Sequence, residues 1–113
     1  MTGLETITVN LDLEIYAPIS DLSLLELCVA RHYWPRSATC ATQEPDGEIL
    51  YWSANVSFIK QCRPKAGNAG MITEVGFKYQ IDAYYSDEES PVCGYDWNQS
   101  IVTFEQYLNQ STN

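Results

Sequence analysis

Three stretches of strict alternation constrain this chain more than any other feature. Ile7, Val9, Leu11, Leu13 and Ile15 alternate with Thr6, Thr8, Asn10, Asp12 and Glu14. Leu50, Trp52, Ala54, Val56 and Phe58 alternate with Tyr51, Ser53, Asn55 and Ser57, and Val75, Phe77, Tyr79, Ile81 and Ala83 alternate with Glu74, Lys78, Gln80 and Asp82. Successive side chains of a strand point to opposite faces, so each stretch reads as a strand with one apolar and one wetted side. Strands of that kind belong to an antiparallel sheet covered on one face.

The segments between them carry helix and turn signals. Pro18 ends the first strand, and Ser20 or Asp21 can cap a helix through Leu22, Leu25, Val29 and Tyr33, with Ser23 and Glu26 offering a second capping box. Trp34 and Pro35 stop it. Residues 38–42 are β-prone, and Glu44-Pro45-Asp46-Gly47 suits a tight hairpin turn. One Pro, two Gly and an Asn make residues 63–70 a mobile connection that carries Arg63 and Lys65. Residues 86–91 form an exposed acidic loop. Residues 99–104 read as a strand leading into a C-terminal helix, which Thr103 and Gln106 open as a capping box over Phe104, Tyr107 and Leu108. The expected fold is α+β: one domain over residues 1–113, with a curved antiparallel sheet of four to five strands. One long helix over residues 20–33 packs on one face, and a short helix closes the chain.

Composition sets the class. With 113 residues and 45% apolar content the chain can bury one core, and it is neither a disordered acidic tail nor a membrane protein. No run approaches the roughly 18 apolar residues of a spanning helix. The N-terminus has no basic n-region before an apolar one, which points to a cytoplasmic protein. In that compartment Cys28, Cys40, Cys62 and Cys93 are expected as free, buried thiols, and the sequons at Asn55, Asn98 and Asn109 carry no sugar.

Catalytic constellations are weak. Cys28 and His32 stand i, i+4 on the expected helix and could pair as thiolate and imidazole, or join Cys40 and Cys62 around zinc. No oxyanion hole or third orienting group accompanies them, and structural zinc is normally announced by close Cys pairs. Asp12 with Glu14, and Asp87 with Glu88 and Glu89, are carboxylate groupings in water-exposed settings that do not suit general acid chemistry. Gly67-Asn68-Ala69-Gly70 joins two expected strands and opens no helix, so it lacks the logic of a phosphate loop. No enzyme activity, cofactor or metal is expected.

Charge is the informative remainder. The net charge is −9, and all six Lys and Arg lie between Arg31 and Lys78, so both flanking segments are purely acidic. Such a surface repels nucleic acid and anionic membrane and attracts basic proteins. Asp12, Glu14, Glu74, Asp82, Asp87, Glu88, Glu89 and Asp96 are the candidate negative face, with Tyr84, Tyr85 and Trp97 as aromatic anchors and Tyr16 and Tyr51 beside them. By analogy alone, small acidic α+β domains without catalytic residues recur among phage-borne anti-CRISPR and anti-restriction proteins and among immunity proteins that block nucleases. The first expectation is therefore a non-enzymatic inhibitor, a monomer or homodimer, that mimics nucleic acid and docks on a basic partner. The alternative is a small-molecule domain whose sheet and helix enclose an apolar pocket lined by Trp52, Phe58, Phe77 and Tyr79.

Overall fold

The computed structural model describes residues 16–85, 87 and 89–111. The expected strand over residues 6–15, and with it Asp12 and Glu14, lies outside the described residues, as does Glu88.

The class is α+β, built on a four-stranded antiparallel sheet. Strand β1 (Cys40–Gln43) and strand β2 (Glu48–Trp52) form a hairpin in which Cys40 faces Trp52 and Gln43 faces Ile49. Strand β3 (Gln80–Tyr85) flanks β2, and the short β4 (Val102–Thr103) flanks β1, giving the order β3-β2-β1-β4. Helix α1 (Leu24–Ala30), helix α2 (Val56–Ala66), the single turn α3 (Ile72–Val75) and the C-terminal α4 (Phe104–Ser111) surround it.

Both faces of the sheet are covered, not one. On the first face Ala41, Ile49, Tyr51 and Val102 pack with Leu24, Leu27 and Cys28 of α1 and Tyr107 of α4. On the second, Cys40, Leu50 and Trp52 meet Ile59, Cys62 and Ala66 of α2 and Met71 at the start of α3. All of β1, and all of β2 after Glu48, is buried as a result. The Ile49-Leu50-Tyr51-Trp52 run is continuous rather than alternating, which is the signature of a strand enclosed on both sides. Tyr51, expected on a wet face, is 0% exposed.

The single long helix expected over residues 20–33 is reduced to α1, one of four helices among the described residues. Here α1 has 7 residues, because the second capping box prevails: Glu26 N–H donates to Ser23 Oγ and Ser23 N–H donates to the Glu26 carboxylate. It ends where His32 takes φ 54°, a left-handed conformation. The expected strand over residues 50–58 stops at Trp52, since Asn55 Oδ1 accepts from Ser57 N–H and caps α2. Buried Ile59, Cys62, Arg63 and Ala66 then recur at i, i+3, i+4 and i+7, and α2 with the 3₁₀ turn Gly67–Ala69 occupies much of the expected mobile connection. The third alternating stretch divides likewise: Val75 closes α3, Gly76 turns the chain at φ +85°, and pairing begins only at Gln80. The C-terminal expectation matches, with the Thr103–Gln106 box formed in both directions.

One buried side chain ties the hairpin to the rest. Gln43 is 0% exposed; its Nε2 donates to the carbonyls of Gly47 and Val92, both at 2.9 Å, and its Oε1 accepts from Gly94 N–H at 2.8 Å. Residues 92–94 are thereby held against the chain entering α1, where Ile19 bridges Cys93 and a side chain on Gly94 would meet Leu24 N at 2.6 Å. A Gln43→Leu variant is close in size but removes three hydrogen bonds to backbone groups in a buried place. It is expected to lose about 3 kcal/mol or more, read as a lower midpoint in urea unfolding.

Candidate acidic site at the β1–β2 turn

The described carboxylates do not spread evenly. Three of them, Glu44, Asp46 and Glu48, line a cleft of about 290 Å³ with Pro45 and Ala69. The turn creates this crowding. Gly47 N–H donates to Glu44 O and Glu44 N–H to Glu48 O, while Asp46 Oδ1 accepts from Glu48 N–H, so acids two residues apart are folded onto one tip. Gly47 adopts φ +95°, which only glycine takes readily.

Each acid has a distinct setting. The half-buried Glu44 accepts from Met71 N–H through Oε2 at 2.7 Å and lies against Gly70, where a Cβ would stand 2.5 Å from Oε1. Burial pushes its pKa up, the Met71 hydrogen bond and the nearby Arg63 pull it down, and the charges of Asp46 and Glu48 push it up again. For Glu48 both influences raise the pKa: burial first, then the charge of Asp46. Asp46 Oδ2 accepts from the Tyr85 hydroxyl at 3.0 Å. Burial, then that bond and the surrounding carboxylates, push the Tyr85 phenol up to about 12, so it remains a donor.

The loop after β3 adds to the same rim. Tyr85 pairs with Glu48, and six residues later Pro91 lies 3.1 Å from where a Gly47 side chain would be. Both ends of the loop are therefore fixed on the hairpin tip, and exposed Asp87 and Glu89 stand between them. Asp87 Oδ1 orders this loop by accepting from the N–H groups of Glu89 and Ser90. Glu74 is exposed on α3, the turn that begins at Met71, the residue donating to Glu44.

Other candidates from the sequence are placed elsewhere. Asp82 projects on the first face and accepts from the Tyr33 hydroxyl at 2.7 Å. Tyr84 packs against Tyr33 and Tyr51 under the Arg31 guanidinium, which lies 4.8 Å from its ring and donates to Tyr85 O. Asp96 accepts from Leu24 N–H at the start of α1, a position where a carboxylate complements the helix dipole. Trp97 is buried, at 7% exposure, and is no surface anchor. The sequence reading missed Glu44, Asp46 and Glu48 because it counted them into the segment holding all the cations. The signal was present in the E-P-D-G-E spacing, since a hairpin turn gathers acids at i, i+2 and i+4.

The alternative sites lack their geometry. Helix α1 stops before His32, so Cys28 and His32 share no helical face, and burial pushes the Cys28 thiol up to about 12. Cys28 and Cys40 lie on opposite faces of the sheet, and all four cysteines are buried and free. Among the described residues no three His, Cys, Asp or Glu are grouped to hold a metal ion. Trp52 is sealed in the core with its indole N–H on Thr42 Oγ1, whereas Phe77 is 74% exposed, so the proposed apolar lining does not enclose one space. No described helix is long and apolar enough to cross a membrane. Comparison with protein-family models, with curated proteins and with solved structures gives no match.

The raised carboxyls have a measurable consequence. In the native state Glu44 and Glu48 hold their protons to higher pH than in the unfolded chain, whose ordinary value is 4.5. Folding therefore takes up protons between that value and the raised native one, so their contribution improves as pH falls through this window and is least favourable above it. Glu48→Gln should be modestly more stable than the parent at neutral pH, by no more than about 0.5 kcal/mol for so solvated a side chain. The gain should shrink on acidification toward 4.5 in paired denaturation curves.

Proposed function

We propose that the protein is a non-enzymatic interaction protein that docks its acidic tip on a basic, nucleic-acid-binding surface of a partner protein and blocks it. The observation that carries this reading is the concentration of Glu44, Asp46 and Glu48 in one partly desolvated cleft, flanked by Asp87 and Glu89 on a loop anchored at both ends. Like charges held together at a protein surface raise one another's energy, and a cationic side chain entering the cleft relieves that cost. The Tyr85 phenol beside them supplies a polar aromatic anchor of the kind enriched at interface centres. Acids around the rim accelerate the encounter with a basic surface and repel nucleic acid.

The test is competitive. Immobilised protein at low salt should retain a host nucleic-acid-binding protein, and the free chain should displace nucleic acid from that same protein. Joint charge reversal of Asp46 and Glu48 to Lys should slow association about tenfold, and raised salt should do the same to the parent. Tyr85→Ala should mainly hasten dissociation. Equal capture by the reversed variant, or capture indifferent to salt, would remove the proposal.

A further inference from the structure

A second concavity lies at the other end of β1. Residues 34–39 and Phe104 wall a cleft of about 520 Å³, within the range of small-molecule sites. The chain reaches it through two non-glycine residues in left-handed conformations, His32 at φ 54° and Ser37 at φ 73°. Such conformations cost of order 1 kcal/mol or more each and persist where the surroundings enforce them. Here Trp34 Nε1–H donates to Ala38 O at 3.0 Å, Ala38 N–H to Pro35 O at 3.2 Å, and Phe104 N–H to Thr39 O at 3.2 Å. The loop is thus closed on itself and fastened to the first residue of α4.

The interior of this cleft is a preformed aromatic surface. Trp34 is locked by edge contact with Tyr51 at 5.2 Å and by Tyr107 at 5.1 Å, and Phe104 leans on it at 5.8 Å with the rings inclined by 37°. Phe104 nevertheless remains 43% exposed on the first turn of a helix whose Tyr107 is buried. Arg36 is exposed on the wall, and among the described residues no carboxylate lines the cleft; Glu105, exposed, follows Phe104 on α4. In a chain of net charge −9, Arg36 thus sets a positive charge next to clustered aromatic rings.

The geometry points to a binding site for a small planar aromatic carboxylate, its ring on Trp34 and Phe104 and its carboxylate on the Arg36 guanidinium. Each part of the ligand answers one part of the wall. The flat, fixed rings select an aromatic plane over a saturated one, and the guanidinium fork matches a carboxylate. A single cation within so acidic a chain tolerates one negative charge, whereas a polyanion such as a nucleic-acid strand meets the repulsion of the whole surface. This site is separate from the acidic tip and stands or falls without it.

The test uses 2-naphthoate, with 2-naphthylmethanol and cyclohexanecarboxylate as the uncharged and the non-planar control. The readout is the ¹H–¹⁵N spectrum, in which the Trp34 indole N–H and the amides of Ser37, Ala38 and Phe104 report on the cleft. Naphthoate should shift these resonances saturably with a Kd on the order of 1 mM. The Arg36→Gln variant, altered at an exposed position, should bind about tenfold more weakly, and naphthylmethanol should fall by a similar factor on the parent. Phe104→Leu should weaken naphthoate while leaving the weak cyclohexanecarboxylate response unchanged. Absence of saturable shifts at these residues, equal binding by Arg36→Gln, or cyclohexanecarboxylate binding as well as naphthoate would each overturn the assignment.

Discussion

The Gln43 carboxamide is the fastening on which the rest of the molecule depends. A primary amide offers donors and an acceptor in one plane, and Gln43 uses both ends against three backbone groups in a place that water does not reach. Those groups belong to the hairpin turn and to residues 92–94, which are far apart in sequence. Gly94 in turn packs so closely on Leu24 that no side chain would fit, and Leu24 N–H is held by Asp96. The β1–β2 tip, residues 92–94 and the start of α1 are therefore one hydrogen-bonded unit. A partly satisfied amide there would be worse than an apolar residue, so its full satisfaction defines one register for the turn and hence one arrangement of the acids upon it.

That arrangement has an electrostatic cost which neighbouring residues moderate without removing. Glu44 receives the Met71 N–H and feels Arg63, whose guanidinium is buried at 2% exposure and donates to Gly67 O at 2.7 Å. The absence of a Cβ at Gly70 lets the carboxylate approach the backbone that it caps. Glu48 has no comparable relief, since burial and Asp46 act on it in the same direction. One acid is thus built into the fold, and another is held at raised energy at the mouth of the cleft. Sites that carry such unrelieved charge are where a cationic partner gains most on binding.

What could be read from the sequence, and what could not, follows from the range of the interactions concerned. Capping boxes are local: Thr103 with Gln106, and Ser23 with Glu26, set helix starts from four consecutive residues, and both formed. The turn at Pro45-Asp46-Gly47 is likewise decided by its own backbone preferences. The β character of residues 50–58 was misjudged past Trp52 because Val56, Phe58 and Ala54 satisfy a period of two by coincidence. The spacing of Ile59, Cys62, Arg63 and Ala66, with Asn55 as cap, carried the helical alternative. Tyr84 and Asp82 looked like surface residues for the same reason, since a strand covered on one side only would have left them in water. It is on their face that α1 and the residues following it pack, which puts them beside Tyr33 instead. The acidic site depends on a long-range contact, Pro91 against Gly47, that no local pattern announces.

The two concavities sit at opposite ends of β1, and that separation bears on how they act. Loop 34–39 enters the strand at Cys40, and the acidic turn leaves it after Gln43, so four residues and about 13 Å of extended chain lie between them. At physiological ionic strength charges exposed to solvent are screened over about 8 Å. Arg36 therefore does little to neutralise Glu48, and the molecule presents a negative tip whatever occupies the aromatic cleft. In the docking proposed above, a basic surface would engage that tip, and the sheet, buried on both faces behind it, gives the turn a rigid base. Because the backbone beneath the acids is held by Gln43 rather than by the partner, little ordering cost remains to be met on association, and the charge itself decides how fast a complex forms.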